Sequence, residues 1–205
     1  MHLQANPRGS VWHRWDPHLH APGTLLNDQF KGDWVAYLDR VRNSAPVVKA
    51  LGVTDYFSIA AYRSVRDYFL KGQLGPVEFL FPNVEMRLDI KTEKKKPVNL
   101  HLLFSPEDKN HEEEIERVLS QLKFEFRERA YACTLSDLAA LGREFLNQKN
   151  AEELHAKRTG ANQFKVSLPE LRALFRNDKW LRENCLVAVA GSSNDGTAGL
   201  QGDGR

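Results

Sequence analysis

Cysteine is scarce in this sequence and long apolar segments are missing, and both features narrow the class of protein. The two cysteines, Cys133 and Cys185, form no CxxC pair, so neither a zinc finger nor a disulfide-stapled scaffold is indicated. The first ten residues lack the apolar core of a signal peptide, and no apolar segment approaches the ~20 residues of a membrane-spanning helix. We therefore expect reduced thiols and a cytoplasmic protein.

A large excess of one charge sign and a phosphate-binding P-loop are also missing. The 205 residues include 29 Lys+Arg and 27 Asp+Glu, and the formal net charge of +2 is too small to require a nucleic-acid partner. The glycine-rich residues 191–205, expected to form a loop or tail, contain no GxxxxGK motif. With 41% hydrophobic residues, the chain has the composition of one globular domain, which we assign to residues 1–205.

The stretch from Val11 to Thr24, VWHRWDPHLHAPGT, combines three histidines, an aspartate and two tryptophans before a Pro-Gly turn. If this stretch is extended, side chains alternate between faces, so Asp16, His18 and His20 should project together. Because imidazole and carboxylate groups bind Zn, Mn and Fe, the pattern predicts a metal site. The simpler interpretation is a surface strand with scattered histidines, and His13, outside the ligand face, is predicted to be structural.

Apolar periodicity in the rest of the chain predicts an α/β fold. Asp33 and Ser58 are expected to cap two helices that alternate with short, buried strands. A small hairpin is expected within residues 122–134, Thr134 should cap the following helix, and Ser167 and Glu170 form a capping-box pattern. The predicted strands are 47–57, 78–81, 84–90, 98–104 and 185–191, and the other predicted helices include 106–121, 135–147 and 168–175.

Two polar segments interrupt this pattern. Residues 148–165 are expected to be an insertion or a mobile connection, with a short helix near residues 151–157. The segment KTEKKKP is expected to be a solvated loop, and a nucleic-acid contact through Lys94, Lys95 and Lys96 is the alternative.

Further polar residues lie on or at the ends of predicted strands. Asp55 ends a buried strand, and Glu85 and Arg87 share one face of another. His101 interrupts the apolar segment VNLHLLF, where a core histidine is the simpler interpretation. Because this strand should lie in the same sheet as the histidines of the first strand, we favour a ligand role for His101.

Four short segments, in this order, resemble the PHP family of polymerase and histidinol phosphatase domains. They are DPHLH at 16–20, GVTDY at 52–56, NVE at 83–85 and NLH at 99–101. The longer segments WHRWDPHLHAPGT and NLHLLFSPED look most like the PHP module that begins large TrlF-type ATPase-linked proteins. The resemblance implies a distorted parallel (βα) barrel of PHP type, incomplete at its C-terminal end, with metal ions at the C-terminal ends of the strands.

The same resemblance implies a ligand set. It implies two or three Mn, Zn or Fe ions, with His18 and His20 on one ion, Glu85 as a bridge, and His101 on a second ion. Asp16 is expected to act as a supporting group that orients the ligands or water.

The chain also departs from the PHP pattern. Tyr56 stands where many PHP enzymes have a histidine, which argues against a third ion, and Asp55 beside it is expected to orient a histidine or water. The late Asp-x-His ligand pair of the family is expected beyond Arg205, and Asn194 or Asp195 is expected to replace a further histidine.

These observations leave three functions open. The first is a metal-dependent phosphoesterase, chiefly a nuclease-type phosphodiesterase for DNA or RNA, with Asp55 and Tyr56 at the catalytic site and Arg87 on a phosphate oxygen. The TrlF-like resemblance places this enzyme in nucleic-acid processing or defence, beside an ATPase. The second is a catalytically degenerate PHP module used for binding, regulation or assembly, and the third is a hydrolase of C-N bonds.

Overall fold

The computed structural model describes residues 12–91 and 97–189, and the predictions for Lys94 to Lys96 and for residues 191–205 lie outside these ranges. The described elements follow the order β1 (Arg14–His20), α1 (Trp34–Arg42), β2 (Val48–Tyr56), α2 (Ala60–Leu70), β3 (Phe79–Lys91), β4 (Pro97–Phe104), α3 (His111–Leu119), β5 (Lys123–Phe126), β6 (Arg129–Ala132), α4 (Leu135–Leu146), α5 (Glu153–Gln163), α6 (Leu168–Asn177), α7 (Lys179–Asn184) and β7 (Cys185–Ala188).

Five of these strands form one sheet in the order β1-β2-β3-β4-β7. β1, β2 and β3 are parallel, and β4 is antiparallel to both of its neighbours, so four of the five strands run in the same direction. The connection between β3 and β4 is short, as antiparallel pairing permits. The predicted α/β class is confirmed; in the described ranges the sheet is open, and the PHP-type barrel stays a prediction.

Buried β2 and the helices α1 and α2 follow the sequence pattern closely. Every residue of β2 except Lys49 is buried. Asp33 caps α1 as predicted, because its carboxylate accepts the Ala36 N–H at 2.9 Å. Ser58 accepts the N–H of Ala60 at 3.0 Å, but it lies one residue before the N-cap position, so α2 begins slightly later than predicted.

The central strand β3 is continuous, whereas the sequence predicted two segments around Pro82 and Asn83. Pro82 is in register with Val53 of β2, and the antiparallel ladder to β4 begins at Asn83. Pro82 therefore stands outside the β4 ladder, where the missing N–H interrupts none of its hydrogen bonds.

Helix α5 differs most from the sequence prediction, which placed a short helix inside a mobile connection. It spans eleven residues and packs closely on α4, with Ala156, Gly160 and Ala161 buried. A Cβ atom on Gly142 would lie 1.8 Å from the carbonyl oxygen of Ala156. A Cβ atom on Gly160 would lie 1.8 Å from the carbonyl oxygen of Leu138. The contact depends on small residues, which produce little hydrophobic periodicity, so the sequence pattern missed it.

The remaining elements agree with the predictions apart from their ends. The predicted hairpin is confirmed as β5 and β6, and its turn residues Arg127 and Glu128 have positive φ angles. Thr134 caps α4 through the Asp137 N–H. Ser167 holds the N-cap position of α6 without a side-chain capping bond, and α3 begins at His111, later than the sequence predicted.

Candidate metal centre

A β-bulge in β1 sets the directions of its polar side chains. Asp16 is in register with Leu51 and Leu19 with Val53, so β1 contains one more residue than β2 over this interval. The extra residue breaks the alternation that predicted a common face for Asp16 and the two histidines. Asp16 instead lines a cavity on the α1 side of the sheet, together with Val41. The common face predicted for Asp16, His18 and His20 is therefore wrong. Asp16 Oδ1 accepts the His18 N–H at 3.4 Å, and the supporting role expected for Asp16 stays a prediction.

Gly52 makes room for the bulge. A Cβ atom at this position would lie 2.3 Å from the Pro17 carbonyl oxygen and 2.8 Å from a ring carbon of Phe81. The same carbonyl accepts a hydrogen bond of 2.8 Å from Asn83 Nδ2, which also donates to Thr54 Oγ1 at 3.0 Å. Close backbone packing at Gly52 and the Asn83 amide thus fix the strand segment that carries the histidines.

Three side chains bring ligand atoms together at the carboxyl ends of the parallel strands. His18 Nε2 and His20 Nε2 are 3.2 Å apart, and they lie 3.5 and 3.4 Å from Glu85 Oε2. His20 and Glu85 are buried, whereas His18 is partly exposed. This group of two histidines and one carboxylate could bind a metal ion, and it includes three of the predicted ligands.

The two oxygens of Glu85 have different surroundings. Oε1 accepts hydrogen bonds from the Tyr56 hydroxyl and from Asn99 Nδ2, both at 2.8 Å. Oε2 is buried without a hydrogen-bond partner among the described residues, and it faces the two histidines. Burial raises the pKa of Glu85, but the imidazoles of His18 and His20 and the Tyr56 hydroxyl outweigh it and hold the pKa well below its usual range. The carboxylate is therefore ionised, and its Oε2 faces the two histidines.

His101 lies beside this group. It is opposite Glu85 in the β3–β4 register, and its ring centroid is 4.5 Å from that of His18. Its Nδ1 is 3.2 Å from Asn83 Oδ1; because an amide oxygen only accepts, we assign the proton to Nδ1, which leaves a lone pair on Nε2. The structure thus places His101 next to the metal-competent group, in a tautomer that suits a ligand, but outside the three atoms that converge.

Tyr56 connects the metal-competent group to the loop after β1. Its hydroxyl accepts a hydrogen bond of 2.9 Å from Asn27 Nδ2, and its ring stacks on His20 at 5.5 Å. The hydroxyl proton is consequently directed to Glu85. Asn27 was not predicted, and no local sequence pattern identifies it. Asn83 and Asn99 also went unassigned, although each lies within three residues of a predicted ligand.

Asp55 lies behind the group rather than in it. Its Oδ1 accepts backbone N–H groups from Leu25 at 3.1 Å and from Tyr56 at 2.8 Å. Burial raises the pKa of Asp55 to about 6, and the backbone hydrogen bonds and nearby His20 reduce the rise. These contacts assign Asp55 a role in holding the loop after β1, and its predicted role in orienting a histidine or water stays a prediction.

Arg87, the predicted phosphate contact, follows Glu85 by two positions on the same face of β3. Its Nη1 donates to the Asn162 carbonyl of α5 at 3.2 Å, and its Nε is buried without a hydrogen-bond partner in the described ranges. Arg87 is therefore held against helix α5. The predicted substitutes Asn194 and Asp195 lie outside the described residues.

No protein-family model matches this chain, and no curated protein matches it in sequence. Among the described helices, none is both long enough and apolar enough to cross a membrane. The fold and the site together define an α/β protein with a histidine–glutamate group that could hold a metal ion.

Proposed function

We propose that this chain is a metal-dependent phosphoesterase of PHP type that cleaves phosphodiesters in DNA or RNA. The observation that carries the proposal is the convergence of His18 Nε2, His20 Nε2 and Glu85 Oε2 within 3.5 Å of one another. Four sequence segments in PHP order support the closed barrel, and the TrlF-like segments support a role in nucleic-acid processing or defence with an ATPase partner.

The donor set fits a divalent metal. Two imidazole nitrogens and one ionised carboxylate oxygen suit Zn, Mn or Fe. A buried carboxylate oxygen without a partner also destabilises the fold unless a cation or a hydrogen-bond donor contacts it. The PHP resemblance raises the expected number of ions to two or three, with His101 as a ligand of a second. A bound ion would activate water and stabilise the negative charge that develops on a phosphate.

The protein's own residues would orient the ligands and the substrate. Tyr56 and Asn99 fix the Glu85 carboxylate by two hydrogen bonds, which leaves Oε2 directed at the histidines. Arg87, on the same strand face, would place its positive charge near a phosphate oxygen. Asn83 would keep His101 in the tautomer that carries its proton on Nδ1.

A catalytically degenerate PHP module for binding or assembly is the second candidate. One specific observation favours it: a neutral phenol, Tyr56, occupies the position of a family histidine and its hydroxyl is engaged by Glu85 and Asn27. A neutral phenol is a poor metal ligand, so this side of the site would hold fewer ions than an active PHP enzyme.

Hydrolysis assays with added Mn or Zn separate the two candidates. The substrates would be a single-stranded oligonucleotide and a chromogenic phosphodiester, and the proteins would be the wild type, His18→Ala and His20→Ala. Exposed His155 on α5 offers a matched control, His155→Ala. We expect metal-dependent cleavage that both site variants abolish and the control retains. Equal activity of wild type and site variants would reject the phosphoesterase, and metal binding without turnover would favour the degenerate module.

A further inference from the structure

A cavity of about 690 Å³ lies between the loop that follows β1 and helix α5. Asn27, Asp28 and Lys31 of the loop line one side of it. The other side is lined by three residues that are spaced four apart and share one face of α5: Leu154, Arg158 and Asn162. Pockets of about 300–1,000 Å³ hold small organic ligands, so this cavity has room for a nucleotide.

The cavity adjoins the candidate metal centre through two of its lining residues. Asn27 donates to the Tyr56 hydroxyl at 2.9 Å, and that hydroxyl donates to Glu85 at 2.8 Å. The Asn162 carbonyl accepts from Arg87 at 3.2 Å, and Arg87 follows Glu85 by two positions on the same strand face. A strand with one phosphate at the metal-competent group can therefore reach the cavity with a neighbouring nucleotide.

The walls of the cavity are held in place by hydrogen bonds of the protein itself. The Asp28 carboxylate accepts three backbone N–H groups of the loop at 3.0–3.1 Å. Arg158 Nε donates to the Leu25 carbonyl at 3.1 Å, which ties the loop to α5. Because these walls are ordered before a ligand arrives, less entropy is lost on binding.

The cavity carries positive charge that the protein leaves available. Asp28 is the only carboxylate among the described residues that line it, and backbone N–H groups already stabilise its charge. The Lys31 ammonium and the terminal nitrogens of Arg158 form no hydrogen bond or ion pair with the described residues. Lys157 on the same helix instead pairs with Glu153 at 3.1 Å. Two cations without a carboxylate partner favour an anionic ligand.

Apolar side chains stand beside these cations. Leu26 and Leu154 line the cavity, and Leu154 is 41% exposed although it is a large hydrophobic residue. A lining that is both apolar and cationic suits a ligand that combines a phosphate with an uncharged ring, as a nucleotide does.

We propose that this cavity binds a nucleotide of the substrate strand next to the cleaved linkage, with Lys31 and Arg158 on its phosphate and the two leucines against its base or sugar. The inference rests on the proposed function for its substrate class. It assigns binding residues for the strand beyond the phosphate that is cleaved.

Strand binding by the chelator-treated protein tests the cavity without any turnover. The full 205-residue chain would be titrated into a fluorescein-labelled single-stranded oligonucleotide, and anisotropy would give the dissociation constant at several salt concentrations. In Lys31→Gln and in Arg158→Gln we expect binding about 3–10-fold weaker, and a slope of log affinity against log salt that is smaller by about 0.7 for each lost phosphate contact. Lys157→Gln removes the same charge from α5 outside the cavity, and it should change neither quantity.

A second oligonucleotide with uncharged methylphosphonate linkages separates phosphate contacts from base contacts. We expect the wild type and both cavity variants to bind it equally. Lys31→Gln is the safer variant for folding because Lys31 is exposed, and far-ultraviolet circular dichroism checks both variants. The inference would be overturned by no binding to the charged strand, by equal slopes in all proteins, by an equal loss in Lys157→Gln, or by a loss that persists with the uncharged strand.

The outcome is separable from that of the proposed function. Strand binding that depends on Lys31 and Arg158, in a protein without metal-dependent hydrolysis, would support the nucleotide site and reject the phosphoesterase. Metal-dependent hydrolysis by a protein whose strand affinity is the same in all variants would do the reverse.

Discussion

The carbonyl oxygen of Pro17 lies 2.3 Å from the point that a Cβ atom on Gly52 would occupy. An alanine there cannot be accommodated unless the backbone of β1 or β2 moves, because the neighbouring atom belongs to the backbone. We expect Gly52→Ala to lower the free energy of unfolding by about 1–3 kcal/mol. Metal affinity should fall with it, since the displaced segment leads directly into His18.

Gly72→Ala is the matched control for this variant. Gly72 has a φ of +68° at the end of α2, and no atom lies within 4 Å of its would-be Cβ. We expect it to cost about 1–2 kcal/mol through backbone strain alone and to leave metal affinity unchanged. Urea denaturation and isothermal titration with Zn²⁺ measure both quantities, and unaltered affinity in Gly52→Ala would contradict the proposed link between bulge and site.

Tyr56→Phe removes one hydroxyl from the site while retaining the ring that stacks on His20. The Glu85 carboxylate would lose one of its two fixing hydrogen bonds, and Asn27 would lose its acceptor. We expect metal affinity to fall by about 10–100-fold, as is typical when a group that orients a ligand is removed. Competition with a fluorescent zinc chelator provides the measurement. Tyr68→Phe, at a half-buried tyrosine that stacks on Trp34, is the control, and equal affinities would reject the orienting role.

Asp55→Asn should change how stability depends on pH. The folded-state pKa of Asp55 is about 6 against an ordinary value of 3.8, so between these values the folded protein binds more protons than the unfolded one. Stability from this group is therefore full below about pH 4 and decreases as pH rises to about 6, by about 3 kcal/mol. The asparagine Oδ1 can still accept the Leu25 and Tyr56 amides.

The free energy of unfolding of the wild type and of Asp55→Asn would be measured at several pH values between about 3.5 and 7. This range spans the unfolded and folded pKa values of Asp55. As pH increases through this range, we expect the free energy of unfolding of the wild type to fall relative to that of Asp55→Asn. A difference between the two proteins that is independent of pH would show that Asp55 does not titrate with a raised pKa.

Gly142→Ala tests the packing of α5 on α4. A new methyl group would collide with the Ala156 carbonyl, so we expect a loss of about 1–3 kcal/mol or more, and the reciprocal variant Gly160→Ala should behave alike. Amide hydrogen exchange should increase in Glu153–Gln163. If these residues formed the mobile connection expected from sequence, both substitutions would leave stability and exchange unaltered.

Much of the fold could be read from sequence because its signals are local. Asp33 and Thr134 cap helices where the spacing of polar and apolar residues indicated, and buried β2 is recognisable as a short apolar segment. Helix α5 was underestimated because Gly142 and Gly160 pack through backbone contact, which leaves no hydrophobic pattern. The short connection between β3 and β4 was a local signal for the antiparallel direction of β4, because a parallel crossover needs about a dozen residues or more, but the family resemblance implied a parallel barrel.

The sequence predicted the candidate metal ligands, but it did not predict the bulge and the hydrogen bonds that position them. His18, His20 and Glu85 are of residue types that bind metals, and they lie on predicted strands in segments of the family pattern, which is why the sequence indicated them. Simple alternation then assigned Asp16 to the same face, and the bulge reverses this assignment because one extra residue changes every later direction. Asn27 reaches Tyr56 from a loop, and its position depends on tertiary structure alone.

The antiparallel direction of β4 has a consequence for the order of folding. Glu85 and His101 face each other across a hairpin with a short connection, so little chain entropy is lost when they meet. His18 and His20 must instead arrive on β1, which joins β3 only through β2. In stopped-flow refolding we expect Zn²⁺ uptake to follow the late assembly of β1 rather than formation of the hairpin, and uptake in the earliest phase would contradict this order.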